Sequence, residues 1–210
     1  MLGRPNISIN STSQRMEPGY RLLDGRSLYA VDGDNQAIPL AALIAGIVNR
    51  TGTTGATGDS LPTVTSLLAA VPNLMRGDSL RFSIRMANAH ANTITVGTGM
   101  TAVGTVNIVA SNIRDYLLTL TSDPMQTTIQ VGTTTNASTT LSGFTQAQLK
   151  NIGVGMAITG TGIGASAKVL AVNLTAGTVI ASVASTATAS NIAMTFTPQA
   201  DLLGLRTGAI

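Results

Sequence analysis

Two tetrapeptides, Gly58-Asp59-Ser60-Leu61 and Gly77-Asp78-Ser79-Leu80, each place a serine where a hydrolase could use it as a nucleophile. That chemistry needs a histidine to take the serine proton and a carboxylate to orient the histidine. The chain has one histidine, His90, in an Ala/Asn-rich stretch shortly after Ser79. Asp32-Gly33-Asp34-Asn35 offers oxygen ligands to a cation, but Leu43 stands where a calcium loop needs its closing glutamate. Gly160-Thr161-Gly162-Ile163-Gly164 has the spelling of a phosphate-binding loop. A dinucleotide turn joins a strand to a helix, whereas residues 169–172 read as another strand, with no acidic residue at ribose distance. With no cysteine and a lone histidine, a structural metal site has no ligand set. The expectation is a protein without catalytic, cofactor-binding or metal-ligating residues, and without a small-molecule substrate.

The serine blocks resemble the nucleophile block of GDSL-type hydrolases, but the Asp-x-x-His that family carries near its C-terminus is missing here. A small serine hydrolase using Ser79 is therefore the remote alternative. Arg76-Gly77-Asp78 spells an integrin-type tripeptide, yet Leu80 begins a strand almost at once, leaving little room for an exposed loop tip.

The scarcity of reactive groups is sharpest between Thr121 and Ala200, where only Asp123, Lys150 and Lys168 carry charge. Over the whole chain 10% of residues are charged, against roughly 25% in typical soluble proteins. Such a weakly charged surface favours coverage by other subunits over a free monomer. Ten of the twelve basic residues are Arg, scattered from Arg4 to Arg206 without a run or aromatic interleaving, so the net charge of +3 does not point to nucleic acid. The longest apolar run, 38–48, is too short to span a bilayer, and Met1-Leu2-Gly3-Arg4-Pro5 lacks the apolar core of a secretory signal. Neither nucleic acid nor a membrane is an expected partner.

These features must rest on short elements. Residues 1–19, with Pro5 and Pro18, read as an extended arm. Asp24-Gly25 and Asp32-Gly33 bracket a short apolar run, as in a small β-meander. Leu40, Leu43, Ile44, Ile47 and Val48 follow the spacing of one helical face after Pro39. Gly- and Thr-rich residues 51–61 read as a linker. Pro62 opens a second helix, ended by Pro72. From Leu80 the apolar period becomes two: Leu80/Phe82/Ile84/Met86, Ile94/Val96, Val106/Ile108 and Tyr116/Leu118/Leu120. The pattern continues through Ile129/Val131, Val154/Met156/Ile158, Leu170/Val172, Val179/Ala181/Val183 and Ile192/Met194/Phe196. Thr145-x-x-Gln148 is a capping box for one helical turn, with Phe144 and Leu149 placed as a hydrophobic staple. The predicted fold is mainly β: two β-sandwich or barrel-like modules, 62–122 and 123–200, an N-terminal region over 1–50, two or three short helices, and an apolar tail, 201–210, either frayed or docked on a neighbour.

Two stretches carry a resemblance. Leu61-Pro62 through Gly77-Asp78-Ser79-Leu80-Arg81-Phe82, Ala91-Asn92-Thr93-Ile94-Thr95-Val96 and Arg114-Asp115-Tyr116 resemble β modules in structural proteins of tailed bacteriophages. Gly155-Met156-Ala157-Ile158-Thr159-Gly160-Thr161-Gly162-Ile163 through Ala193-Met194-Thr195-Phe196 is similar to a Thr/Gly-rich module of phage decoration, head-fibre and tail-fibre proteins. The resemblance implies a virion structural protein, a homotrimer, and carries over no catalytic residue. The leading expectation is a capsid decoration or cement protein on the capsid surface, its partners the major capsid protein and copies of itself. A head or tail fibre is the alternative, although three Tyr, three Phe and no Trp give few aromatic platforms for sugars. Exposed apolar character nominates the contacts: Arg4, Ile7 and Ile9 of the arm, Leu40, Leu43, Ile44 and Ile47 of the helical face, and Leu202, Leu203 and Leu205 of the tail.

Overall fold

The computed structural model describes residues 26–209. The nominated arm contacts Arg4, Ile7 and Ile9, and the first turn of the expected meander, lie outside the described residues. Within them the protein is mainly β, with several sheets and three short helices.

The first module extends beyond the expected 62–122 to take in 26–61 and 200–209, and it is built on a six-stranded sheet. In spatial order its strands are β1 (Ser27–Asp32), β2 (Gly46–Thr51), β4 (Ser79–Met86), β7 (Asn112–Leu120), β14 (Ala200–Ala209) and β6 (Met100–Val103). β1, β2 and β4 run parallel, β4, β7 and β14 are antiparallel neighbours, and β6 is parallel to β14. Parallel neighbours need a crossover, and helix α1 (Leu40–Ala45) supplies the first. Asp32-Gly33 therefore leads into a crossover, not the hairpin of a meander. The helical face expected to run on to Val48 also stops early. Gly46 adopts φ +92°, a left-handed cap that ends α1, and β-branched Ile47 and Val48 continue as strand. Helix α2 (Val64–Ala70) forms where Pro62 predicts it, with the Thr63 hydroxyl accepting from Ser66 N at 3.1 Å.

Residues 51–61 are not a free linker. Thr57–Ser60 form β3, paired in parallel with β5 (Asn92–Thr95), and Thr53, Thr57 and Asp59 are buried. Val48, Phe82, Ile84, Met86, Tyr116, Leu118 and Leu202 of the large sheet share a core with Leu43, Val64, Leu67, Ile94 and Ile108. Phe82 and Tyr116 stack at 5.1 Å between ring centroids, and the buried Tyr116 hydroxyl donates to Val106 O at 2.6 Å.

The tail departs furthest from expectation. It is neither frayed nor docked elsewhere: as β14 it fills the lane between β7 and β6. Leu120 lies directly opposite Ala200 in the ladder, so the second module is an insertion between two paired strands. Its neck is held by Thr121 N and Ser122 N, which donate to Gln199 O, and by Gln199 N, which donates to Ser122 Oγ at 2.9 Å.

The inserted module contains one three-stranded sheet of β10 (Ala157–Gly160), β13 (Ala189–Thr197) and β8 (Thr128–Thr134). Its second sheet comprises β11 (Val169–Asn173), β12 (Thr178–Ala181) and β9 (Thr140–Leu141). Leu141, Met156, Ile158, Val169, Val179, Met194 and Phe196 form a separate core. The capping box of helix α3 (Gln146–Leu149) is present with both of its hydrogen bonds, and Phe144 and Leu149 are buried beside it. Gly132 leaves room for the Phe144 ring, since a Cβ there would lie 2.7 Å from it.

Candidate functional site

Ser79 begins β4 on its exposed side and shares a 2.8 Å hydrogen bond with Thr119 Oγ1. His90 follows the far end of the same strand, and eight extended residues separate the strand's ends by roughly 23 Å. The strand keeps Ser79, the nucleophile of the remote hydrolase alternative, apart from the chain's one histidine. Ser60 ends β3, in the ladder with β5. Asp78 is committed to a turn, its carboxylate accepting from Met75 N at 2.8 Å. Gly160–Gly164 forms a turn after β10, closed by Ile163 N donating to Gly160 O.

The aspartates of the 32–35 segment secure loops. Asp32 accepts from Thr51 Oγ1 at 2.8 Å, and Asp34 from Thr54 Oγ1 at 2.6 Å and Thr54 N at 3.1 Å. The Thr54 hydroxyl bond, helped by Thr54 and Gly55 N–H groups and by nearby His90, holds the Asp34 carboxyl below its ordinary range. Among the described residues no group of three His, Cys, Asp or Glu side chains comes together as a metal site.

The densest polar cluster has no motif in the sequence. Arg50 on β2 is fully buried, as is Asp59 on β3. Arg50 Nε donates to Asp59 Oδ2 at 2.5 Å and Nη2 to Oδ1 at 3.0 Å, a bidentate pair. Its remaining donors reach Val31 O and Gly33 O, while Asp59 also accepts from Asn92 Nδ2 at 2.6 Å and Gln36 N at 2.9 Å. With both ions satisfied and shut off from solvent, the cluster ties the sheet to the β3–β5 pair and offers nothing to a substrate. Its only sequence signal was a charged residue in each of two β-compatible segments, one of them disguised by glycines as a linker.

What remains is surface. Along β4 and β7 alternation buries Phe82, Ile84, Tyr116 and Leu118 on one face and turns Ser79, Arg81, Ser83, Ile113, Asp115 and Leu117 to the other. On this outer face Ser83 donates to Asp115 Oδ1 at 2.5 Å, Arg26 Nη1 to Ser83 Oγ at 3.4 Å, and Arg81 Nη2 to Asp115 Oδ2 at 3.2 Å. A shallow groove of about 430 Å³ runs beside Arg26, Ile47, Asp115 and Arg206.

The nominated contacts divide here. Leu43 and Leu202 are fully buried core residues and are corrected from the contact set. Leu43 lies on the inner side of α1, and strand alternation carries Leu202 inward beside Leu118. Leu40 and Ile44 are partly buried against the same core. Ile47 lines the groove, and Leu203 and Leu205 are exposed, with Leu203 paired to exposed Val103 at the β6 edge. Apolar character alone groups these leucines in the sequence, whereas strand alternation sends Leu202 inward and Leu203 outward. Comparisons with protein-family models, curated proteins and solved structures find no match to this chain.

Proposed function

We propose that this chain is a bacteriophage virion structural protein, a capsid decoration or cement protein that stabilises the head by bridging neighbouring capsid subunits. The resemblance of residues 61–197 to phage β modules suggests the virion. The observation that carries the interaction is the outer face of the six-stranded sheet, where Ile47, Leu203 and Val103 stand among Arg81, Asp115 and Arg206 without a described element over them. An outer face on which apolar side chains flank a central Arg81–Asp115 pair mixes apolar and arginine contacts as protein interfaces do. The major capsid protein is the proposed partner on this face, and the protein acts as a homotrimer. Individually weak contacts gain strength by repetition over a shell.

The bridging role predicts that capsids lacking the protein release DNA at a lower temperature than complete capsids. Dye-detected thermal release from the two preparations tests it: equal release temperatures refute stabilisation, and imaging that places the protein on the tail favours the fibre alternative.

A further inference from the structure

The outer face of the six-stranded sheet carries more cations than its own carboxylates occupy. Among the described residues lining the groove, Asp115 is the one carboxylate, and both its oxygens are engaged: Oδ1 accepts from Ser83 and Oδ2 from Arg81. Arg26 is engaged too, donating to Ser83 Oγ. Arg206 and Arg85 are not. Neither guanidinium has a hydrogen bond or ion pair, and Arg85 Nε is shut off from solvent without an acceptor.

The ladder explains how both come to this face. Gly204 pairs with Tyr116 and Thr207 with Arg114, so Leu205 and Arg206 together stand opposite Asp115. A bulge of this kind re-aims a side chain, and exposed Arg206 lines the groove. Arg85 follows Ser83 by two residues on β4, so alternation sets it on the same face, opposite Ile113. Leu28, 59% exposed and paired in register with Ile47, extends the apolar flank of the groove.

We infer that this face docks an acidic protein surface, whose Asp or Glu carboxylates take Arg206 and Arg85 while the apolar flank receives their neighbours. Charge complementarity selects the occupant. Arg26, Arg81, Arg85 and Arg206 surround a single, already occupied aspartate, which repels a basic partner and leaves two planar donor forks for carboxylates. A nucleic acid fits less well. Among the described residues the face offers no aromatic side chain to a base, and Asp115, Ile47 and Ile113 break up its arginines. β4 and β14 lie two lanes apart, roughly 10 Å. One extended segment with carboxylates on alternate residues therefore reaches both guanidiniums. The inference rests on the proposed function in using its partner face, and adds the partner's charge.

The arginine Nε–H resonances of the full chain, followed by nuclear magnetic resonance, test it without any capsid. The probes are an acetylated heptapeptide with glutamate at alternate positions, the same peptide with glutamine, and a single-stranded oligothymidylate. The glutamate peptide is expected to shift the Arg85 and Arg206 resonances, less so as salt is raised, and the glutamine peptide to leave them in place. Arg85→Gln/Arg206→Gln is expected to weaken peptide binding roughly tenfold with an unchanged melting curve. Arg76→Gln, on the exposed turn before β4, is expected to bind like the wild type. A glutamate peptide that moves neither resonance, a glutamine peptide that moves them equally, an Arg76→Gln loss as large as the double variant's, or tighter binding of the oligonucleotide overturns the inference. Uptake by capsids lacking the protein is measured separately: a chain that binds the glutamate peptide but not capsids keeps its acidic docking face and loses the capsid as its partner.

Discussion

The two modules solve one problem, a fold with few aromatic residues, by different means. The first binds its layers with a buried, fully bonded ion pair and a Phe82–Tyr116 stack under a sheet whose outer face is rich in arginine. The second has no charge in its strands and relies on Met, Val, Ile and the Phe144–Phe196 edge contact, at 6.1 Å between centroids. A buried ion pair costs much to break, whereas replacing it by a well-packed apolar set is often neutral. What the pair provides is therefore less net stability than a defined alignment: Arg50 accepts only a geometry that brings β1, the loop after it and β3 to its guanidinium at once. The second module has no such key and needs its turns and caps to define it.

The substitution expected to break this contrast most strongly is Asp59→Ala. It leaves Arg50 charged and buried without its carboxylate, at a cost of about 3–5 kcal/mol. Because the cores are separate, differential scanning calorimetry should show the first module's transition fall sharply while the second module's stays near its wild-type temperature. A common shift of both would mean that the neck at Thr121 and Gln199 couples the modules into one cooperative unit.

The converse substitution is Met194→Ala in the second core, where the side chain is fully buried. Loss of a buried methionine costs about 2–5 kcal/mol, set by how far the surroundings collapse. Here the second transition should fall and the first hold, read in the same calorimetric experiment. If the first also falls, the insertion supports the hairpin that carries it.

The sequence was legible where one local rule decided the outcome. Alternation located β4, β7 and β13, and the Thr145–Gln148 box located α3, because period and capping are properties of a few consecutive residues. It was illegible where the outcome depended on a distant lane. Residues 200–209 carry an ordinary strand pattern, but only β7 and β6, already in place, give that strand partners on both sides. Thr57–Ser60 is short and contains Gly58, and it is held as a strand by pairing with β5 and by the Asp59 bonds to Asn92 and buried Arg50. The candidate surface is illegible in the same way: Ile47, Leu203 and Val103 come to one face only once parallel and antiparallel pairing is complete, while Leu202, next to one of them, is consumed by the core.

The smallest expected effect sharpens the contrast through pH. Among the described residues the first module holds Asp32, Asp34, Asp59, Asp78, Asp115 and Asp201, and the second only Asp123. Folding lowers the Asp34 carboxyl below its ordinary value, chiefly through the Thr54 hydroxyl bond. The stabilisation from such a group is complete above its unfolded value and is lost as pH falls through its lowered folded value. Acidification should therefore lower the first module's transition before the second's. Asp34→Asn should reduce that difference slightly, since Asp34 is only partly covered at the surface and its bond closes one loop. Melting curves taken from neutral to acid pH read both effects. An Asp34→Asn variant with the wild-type pH slope would show that the Thr54 bond does not carry the linkage, and an insertion that melts first on acidification would overturn the assignment of the charge-sensitive fold to the first module.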